Sequence, residues 1–114
     1  LKAEGMAQDS NDFCGLADSL CEKLKDLELA KKLYERAEEK AVESFEFRWL
    51  ADSLSEKLDD KEWAQRIYGK AEDKAQAYYE LICLAKSLSE KMADEKWANE
   101  VNQKAKNLSP YPQL

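Results

Sequence analysis

The chain has 114 residues, the size of a single domain that buries a core of its own. Charged residues make up 37% of it, with a formal net charge of -6 and no histidine. Because nucleic-acid affinity depends on clustered Lys and Arg, this balance argues against a nucleic acid as partner and favours a basic or neutral one. No apolar stretch approaches the roughly 18 residues of a membrane span. We therefore expect a soluble, cytoplasmic protein with no membrane partner.

The side chains of common active sites and metal sites are scarce. Histidine, the most frequent general base and metal ligand, is absent, and the three cysteines form neither a CxxC pair nor a zinc quartet. Cys14 and Cys21 are seven residues apart, which on one helix is about 10 Å and too far for a disulfide. We expect three buried or half-buried reduced thiols, no metal, no cofactor and no enzymatic activity.

A repeat begins after the first nine residues, which we expect to be a flexible segment. The sequence LADSL at 16–20 recurs as LADSL at 50–54 and as LAKSL at 84–88, a spacing of 34 residues each time. Three copies follow one another without a gap, at about 10–43, 44–77 and 78–108, and residues 109–114 form a tail.

Each copy predicts two helices joined by a short turn. In the second copy, Phe47, Leu50, Ala51, Leu54 and Leu58 follow the helical period along one stripe, and a second stripe begins at Trp63. The predicted first helices cover about 11–25, 45–58 and 79–92, and the predicted second helices cover about 27–43, 61–76 and 95–108. Such hairpins stack on their neighbours to bury both apolar faces, which predicts an all-α solenoid.

Polar residues before these stripes are the predicted N-caps. Asp60 precedes the second helix of its copy, where a carboxylate accepts unpaired backbone N–H groups, and Asp26 and Asp94 are its equivalents. Ser10 and Ser44 are the predicted N-caps of the first two first helices. On the outer faces, Glu62 and Arg66 are spaced for an ion pair within one helix.

The pattern resembles the tetratricopeptide repeat, a 34-residue helical hairpin. Leu50-Ala51 is similar to the Leu-Gly pair of that family, and Ala64, Tyr68 and Ala71 match its small, aromatic and small positions. From Ala51 to Ala64 there are 13 steps where the family pattern has 12, and the family's closing Pro is missing. The resemblance implies an α-solenoid whose first helices line a concave groove.

In that family the groove binds a peptide or helix of another protein, so the resemblance implies an interaction scaffold. The groove positions carried over to this chain are mixed in charge and lack the clustered Lys and Arg that would hold an acidic tail. They are Asp18, Glu22, Arg48, Asp52, Ser55, Glu56, Ile82, Lys86, Ser89 and Glu90, with Cys14 and Cys21 at the remaining positions of the first copy.

Several aromatic residues admit two interpretations. Trp63 and Trp97 could form a row for base stacking, but their position beside a repeated Ala favours packing between helices, as for Tyr34 and Tyr68. Tyr78 and Tyr79 could be either core anchors or exposed contacts.

The two ends of the array differ from its middle. Gly15 stands where the later copies have Trp49 and Cys83, and the last helix is more polar and is followed by Pro110 and Pro112. These features predict a short array nearly complete in itself and a monomer, with a homodimer as the alternative. A second alternative function is single-stranded RNA binding by a pentatricopeptide-like array, which the acidic balance disfavours.

Overall fold

The structure, a computed structural model, describes residues 9–108. Within that range the chain is all-α, with six α-helices and no strand. A single π-helical turn, Leu20–Leu24, continues the first helix. The expectations for residues 1–8 and for Pro110 and Pro112 lie outside the described residues. The helices are α1 Ser10–Ser19, α2 Leu27–Lys40, α3 Ser44–Glu56, α4 Lys61–Lys74, α5 Tyr78–Met92 and α6 Glu95–Leu108.

The predicted caps of α2, α4 and α6 are confirmed. Each Asp accepts a hydrogen bond from the backbone N–H three residues later, at 3.2 Å for Asp26, 3.0 Å for Asp60 and 3.0 Å for Asp94. A carboxylate there satisfies an orphan donor and complements the helix dipole. The second helix of every hairpin therefore begins at the same place in the repeat.

The predicted caps of α1 and α3 are wrong by one residue. Ser10 and Ser44 are the first residues of their helices and are buried. The Ser44 hydroxyl donates to the carbonyl of Ala71 at 2.7 Å instead of capping. Inside the first turn of α3, the Glu46 carboxylate accepts hydrogen bonds from the backbone N–H groups of Val42 and Glu43, both at 3.0 Å. A carboxylate therefore also pairs with backbone donors at the start of this helix.

A left-handed residue ends the first helix of every hairpin. Lys25, Asp59 and Ala93 lie 34 residues apart and have φ of 56°, 56° and 53°. The next residue in each case donates its N–H back to the first helix, as Asp60 does to the Leu54 carbonyl at 2.9 Å. The left-handed residue reverses the chain and satisfies carbonyl groups that the helix leaves free.

One hydrophobic core extends through all three hairpins. Leu50, Ala51 and Leu54 of α3 and Ile67 and Tyr68 of α4 have no exposed surface. The predicted apolar stripes of the second copy are thus confirmed at their centres. Cys14 and Cys21 are buried as expected, whereas Cys83 is exposed, so the expectation of three buried or half-buried thiols is wrong for Cys83.

The three hairpins follow one another in chain order. The two helices of each hairpin pack together, α1 packs on α3 and α3 on α5, and each second helix contacts the next first helix. The overall extents are 52 × 26 × 18 Å. None of the helices in the described part of the chain is long and apolar enough to cross a bilayer.

Candidate functional site

A polar cluster joins hairpin one to hairpin two. The hydroxyl of Tyr34 donates to one carboxylate oxygen of Asp18 at 2.6 Å, and the hydroxyl of Ser53, on α3, donates to the other oxygen at 3.1 Å. The thiol of Cys14 donates to the Ser53 hydroxyl at 3.2 Å. Burial raises the pKa of Asp18, although the two hydroxyl donors lower it. Burial also raises the pKa of the Cys14 thiol, to about 12.

The same cluster recurs 34 residues later. Tyr68 donates to Asp52 at 2.5 Å, and Ser87, on α5, donates to the second oxygen of Asp52 at 3.4 Å. Burial raises the pKa of Asp52, and the hydrogen bond from Tyr68 opposes that rise. Burial and the neighbouring carboxylate raise the pKa of Tyr68, so its hydroxyl keeps its proton and remains a donor. We call these two clusters the junction clasps.

The second helices are joined by another repeated contact. The indole N–H of Trp63 donates to Glu38 of the preceding hairpin at 3.1 Å, and Lys70 pairs with the same carboxylate. Trp97 donates to Glu72 at 2.9 Å, and Lys104 lies 3.1 Å from Glu72. The indoles are half-buried, and the rings of Trp63 and Tyr34 meet edge to face with centroids 6.4 Å apart. The predicted packing role of Trp63 and Trp97 is confirmed.

Arg66 also reaches across this junction. Its guanidinium lies 3.9 Å from Glu38, on the preceding hairpin. The sequence predicts an ion pair between Arg66 and Glu62 of the same helix. In the structure the Arg66 guanidinium lies instead beside the Glu38 carboxylate, which Trp63 and Lys70 also contact. The charges of the second helices therefore link neighbouring hairpins.

The exposed surface of the first helices contains a depression of about 400 Å³ between α1 and α3. Asp18 and Asp52 of the junction clasps line it, together with Gly15 and Trp49. Apart from the adjoining backbone of its own helix and its two chain neighbours, no atom of the described residues lies within 4 Å of a Cβ placed on Gly15. The small residue at position 15 therefore leaves open the space beside Trp49.

Large apolar side chains continue from this depression across α3 to α5. Phe45, Trp49 and Tyr79 are 41%, 45% and 68% exposed, and Cys83 is exposed beside them. The rings of Phe45 and Trp49 meet edge to face at 5.6 Å. Phe45, Tyr79 and Cys83 line a small cavity of about 130 Å³ between the two helices. We call Phe45, Trp49, Tyr79 and Cys83 the first-helix patch.

Five of the ten predicted groove residues lie on the first two hairpins, in or beside the depression and the small cavity. Asp18, Asp52 and Glu56 line the depression beside the patch. Glu22 is 2.6 Å from Lys57, and Glu56 pairs with Lys91, so these two carboxylates connect successive first helices. Arg48 lies 3.8 Å from Asp52 and lines the small cavity.

The remaining predicted residues lie elsewhere. Ser55 is only 2% exposed, and its hydroxyl donates to the Lys91 carbonyl at 3.2 Å, so it belongs to a junction and does not line an open surface. Ile82, Lys86, Ser89 and Glu90 surround a separate depression of about 310 Å³ on hairpin three. Ser55 is therefore buried away from the groove, and the hairpin-three residues line a depression of their own.

A further depression of about 480 Å³ lies on the opposite side, along the second helices. Glu35, Glu38, Trp63 and Arg66 are among the residues that line it. The Glu38 carboxylate is already held by Trp63 and Lys70, and the charge pattern is not repeated at the next junction. We therefore assign no ligand to it.

Sequence reasoning did not identify the patch as a site. Phe45 and Trp49 alternate with Phe47 and Leu50 in α3, so this helix carries two apolar stripes where one would suffice for the core. That surplus is the signal that could have revealed the patch. Tyr78 and Tyr79, for which two roles were open, are both exposed.

Among residues 9–108, no group of three or more Asp, Glu or Cys side chains is arranged to hold a metal ion. The arrangement offers a surface of aromatic and charged side chains for non-covalent contact. No family model, no curated protein sequence and no solved structure matches the chain.

Proposed function

We propose that this protein is an interaction scaffold whose first-helix patch binds a segment of another protein. The single observation that carries the proposal is the exposure of Phe45, Trp49 and Tyr79 on two adjacent helices. Contiguous exposed apolar surface of this kind marks interaction sites on folded proteins, because it costs free energy unless a partner covers it. Aromatic residues are also enriched among the residues that dominate binding energies.

The charges beside the patch indicate the chemistry of the partner. The depression next to Trp49 contains Asp18, Asp52 and Glu56, which outnumber Arg48 and Lys91 around it, and the whole chain carries a net charge of -6. A bound segment with one large apolar side chain for the patch and a basic side chain for the depression complements both. The proposed partner is therefore a peptide or helix of this composition.

The proposal includes the architecture that would present the patch. We propose a short solenoid of three tetratricopeptide-like hairpins. Support comes from the junction clasps and from the Glu–Trp contacts, which recur at 34 residues between the same helix positions. Parallel first helices stacked in this way place equivalent side chains, such as Phe45 and Tyr79, next to one another.

Peptide selection tests the proposal without a known partner. A phage-displayed library of random peptides is panned on the full chain, and the affinities of enriched peptides are measured by calorimetry. We expect peptides that combine an aromatic or large aliphatic residue with Arg or Lys. Trp49→Ala and Phe45→Ala should each weaken binding about tenfold or more, as expected for hot-spot residues.

Leu27→Ala is the matched control, because Leu27 is a large apolar residue, 47% exposed, that lies on α2 outside the patch. Its affinity for the selected peptides should equal that of the unmodified protein. Failure to enrich any peptide, or equal binding to the Trp49→Ala and Phe45→Ala variants, would contradict the proposed function.

A further inference from the structure

A second surface lies at the far side of hairpin three. In hairpins one and two, the corresponding side is covered by the next hairpin, as the clasp from Ser53 to Asp18 and the clasp from Ser87 to Asp52 show. On hairpin three, within residues 9–108, no helix covers it. Two depressions of about 310 and 440 Å³ lie there and share Ile82, Asn99 and Asn102. We call this surface the end face.

The residues that hold the internal junctions are replaced on the end face. Lys86 stands at the position of Asp52, and Asn102 stands at the position of Tyr68. Lys106 stands at the position of Glu72, which accepts from Trp97 and Lys104. Two carboxylates that receive donors are thus exchanged for two cations. A hairpin with the internal sequence would bring its donors against Lys86 and Lys106, which disfavours a further copy there.

Other properties of the internal junctions remain on the end face. Small side chains, Ala85 and Ala98, still line the floor, and Ile82 is 37% exposed. Tyr78 adds an aromatic wall. The end face therefore keeps apolar side chains on which a helix can pack, while the two carboxylates of the internal junctions are replaced by lysines.

We propose that the end face binds an acidic amphipathic helix of a partner protein, in the place that a following first helix would occupy. The apolar side of the bound helix would pack on Ile82 and Ala85, and a carboxylate of that helix would pair with Lys86. Successive first helices run parallel, since Asp18 contacts Ser53 and Glu22, one turn later, contacts Lys57. By the same geometry the bound helix runs parallel to α5.

The charges on the end face also specify where the acidic residues of the bound helix lie. Glu90 and Glu95 line the depression near the C-terminal end of α5, whereas Lys106 lines the one beside Tyr78, at the start of α5. The carboxylates of the partner therefore belong in its N-terminal and middle turns, and the helix dipole also favours those in the first turn.

Two peptides of 15 residues test this inference against the full chain. Both have the sequence of α5, the helix that covers this face on hairpin two, with Ser in place of Cys83 and a lactam bridge on the outer side to maintain the helix. One peptide keeps Ser87, and the other carries Ser87→Asp. Binding is measured by fluorescence anisotropy at low salt. We expect the Asp peptide to bind about fivefold more tightly, the size of one good exposed ion pair.

A charge reversal in the protein provides the matched variant. Lys86→Asp/Asn102→Tyr restores the residues of the internal junctions, and we expect it to reverse the order of the two peptides. Absence of binding by both peptides at concentrations up to about 1 mM would overturn the inference. If the variant prefers the same peptide as the unmodified protein does, the inference is also overturned. The Trp49→Ala variant should behave as the unmodified protein, which separates this outcome from failure of the first-helix patch.

Discussion

The junctions and the first-helix patch differ in whether their residues recur from one hairpin to the next. At the junctions, Asp18 and Asp52 receive the same two hydroxyl donors from residues 34 positions apart. In the patch, the equivalent of Phe45 on α1 is Asn11, and the equivalents of Trp49 are Gly15 and Cys83. The repeated residues hold the hairpins together, and the residues that vary lie on the exposed face. This contrast separates the positions that hold the hairpins together from the positions that the proposed function would use, and it can be tested directly.

Removing a junction aromatic should have the largest effect on stability. Tyr68→Ala deletes a side chain with no exposed surface and a hydrogen bond to Asp52, so we expect the free energy of unfolding to fall by about 3–5 kcal/mol. Tyr79→Ala, in the patch, should change it by less than about 0.5 kcal/mol. Urea unfolding followed by circular dichroism measures both values. Similar losses for the two variants would remove the distinction between junction and patch.

The hydroxyl group alone provides a finer test. Tyr68→Phe keeps the ring but withdraws a donor from the half-buried Asp52 carboxylate, which should lower the free energy of unfolding by about 1–3 kcal/mol at neutral pH. The comparison is Tyr78→Phe, whose side chain is 40% exposed and which should unfold at the urea concentration of the unmodified protein. An unchanged Tyr68→Phe variant would show that the ring, and not the clasp, stabilises the junction.

The clasp carboxylates also predict a pH dependence, a smaller effect. Because burial raises the pKa of Asp18 and Asp52 in the folded protein, the folded state binds their protons more readily than the unfolded state. Their contribution to stability is therefore fully present below the unfolded pKa and is lost as pH rises through the folded pKa. Relative to an Asp18→Asn/Asp52→Asn variant, the unmodified protein should gain stability between about pH 7 and about pH 4.

The control for this pH effect is an Asp59→Asn/Asp73→Asn variant. It removes the same charge from two exposed carboxylates. Its urea midpoint, measured relative to that of the unmodified protein, should change less with pH than the midpoint of the clasp variant. Parallel pH profiles for the two variants would attribute the effect to net charge and not to burial at the junctions.

The hairpin turns give the smallest expected effect, and it is stabilising. Ala93 has a φ of 53°, a conformation that costs a residue with a Cβ about 1 kcal/mol. Ala93→Gly should therefore raise the free energy of unfolding by about 0.5–1 kcal/mol, despite the greater freedom of glycine in the unfolded chain. Ala41→Gly, at a φ of -70°, should lower it. We expect the thermal unfolding midpoint to rise for Ala93→Gly and to fall for Ala41→Gly. A lower midpoint for Ala93→Gly would contradict this expectation.

Much of the fold could be predicted from the sequence. The helical period places all six helices to within a few residues, and Asp26, Asp60 and Asp94 identify the starts of the second helices because a carboxylate cap acts locally. The caps at Ser10 and Ser44 were misplaced by one residue, since the Ser44 hydroxyl bonds to a carbonyl 27 residues away. Contacts of that kind leave no local pattern.

The candidate site could be predicted only in part. Family offsets located Asp18 and Asp52, but periodicity does not reveal that Tyr34 and Tyr68, 16 residues later, hold these carboxylates in the junctions. The patch was missed because an apolar residue on a helix has the same sequence signal whether a neighbour covers it or not. Phe47 and Phe45 differ only in which side of α3 they occupy.

The order in which the hairpins pack makes the stability of hairpin three depend on whether a partner is bound at the first-helix patch. Among residues 9–108, the middle hairpin packs on a neighbour at both sides, whereas each outer hairpin packs across one junction, so an outer hairpin can open with less loss of these contacts than the middle one. The patch spans α3 and α5 and is complete only while hairpin three is docked. A guest seated there would shift the opening equilibrium of that hairpin toward the closed form, and slower amide exchange in α6, which the guest does not touch, would report its arrival.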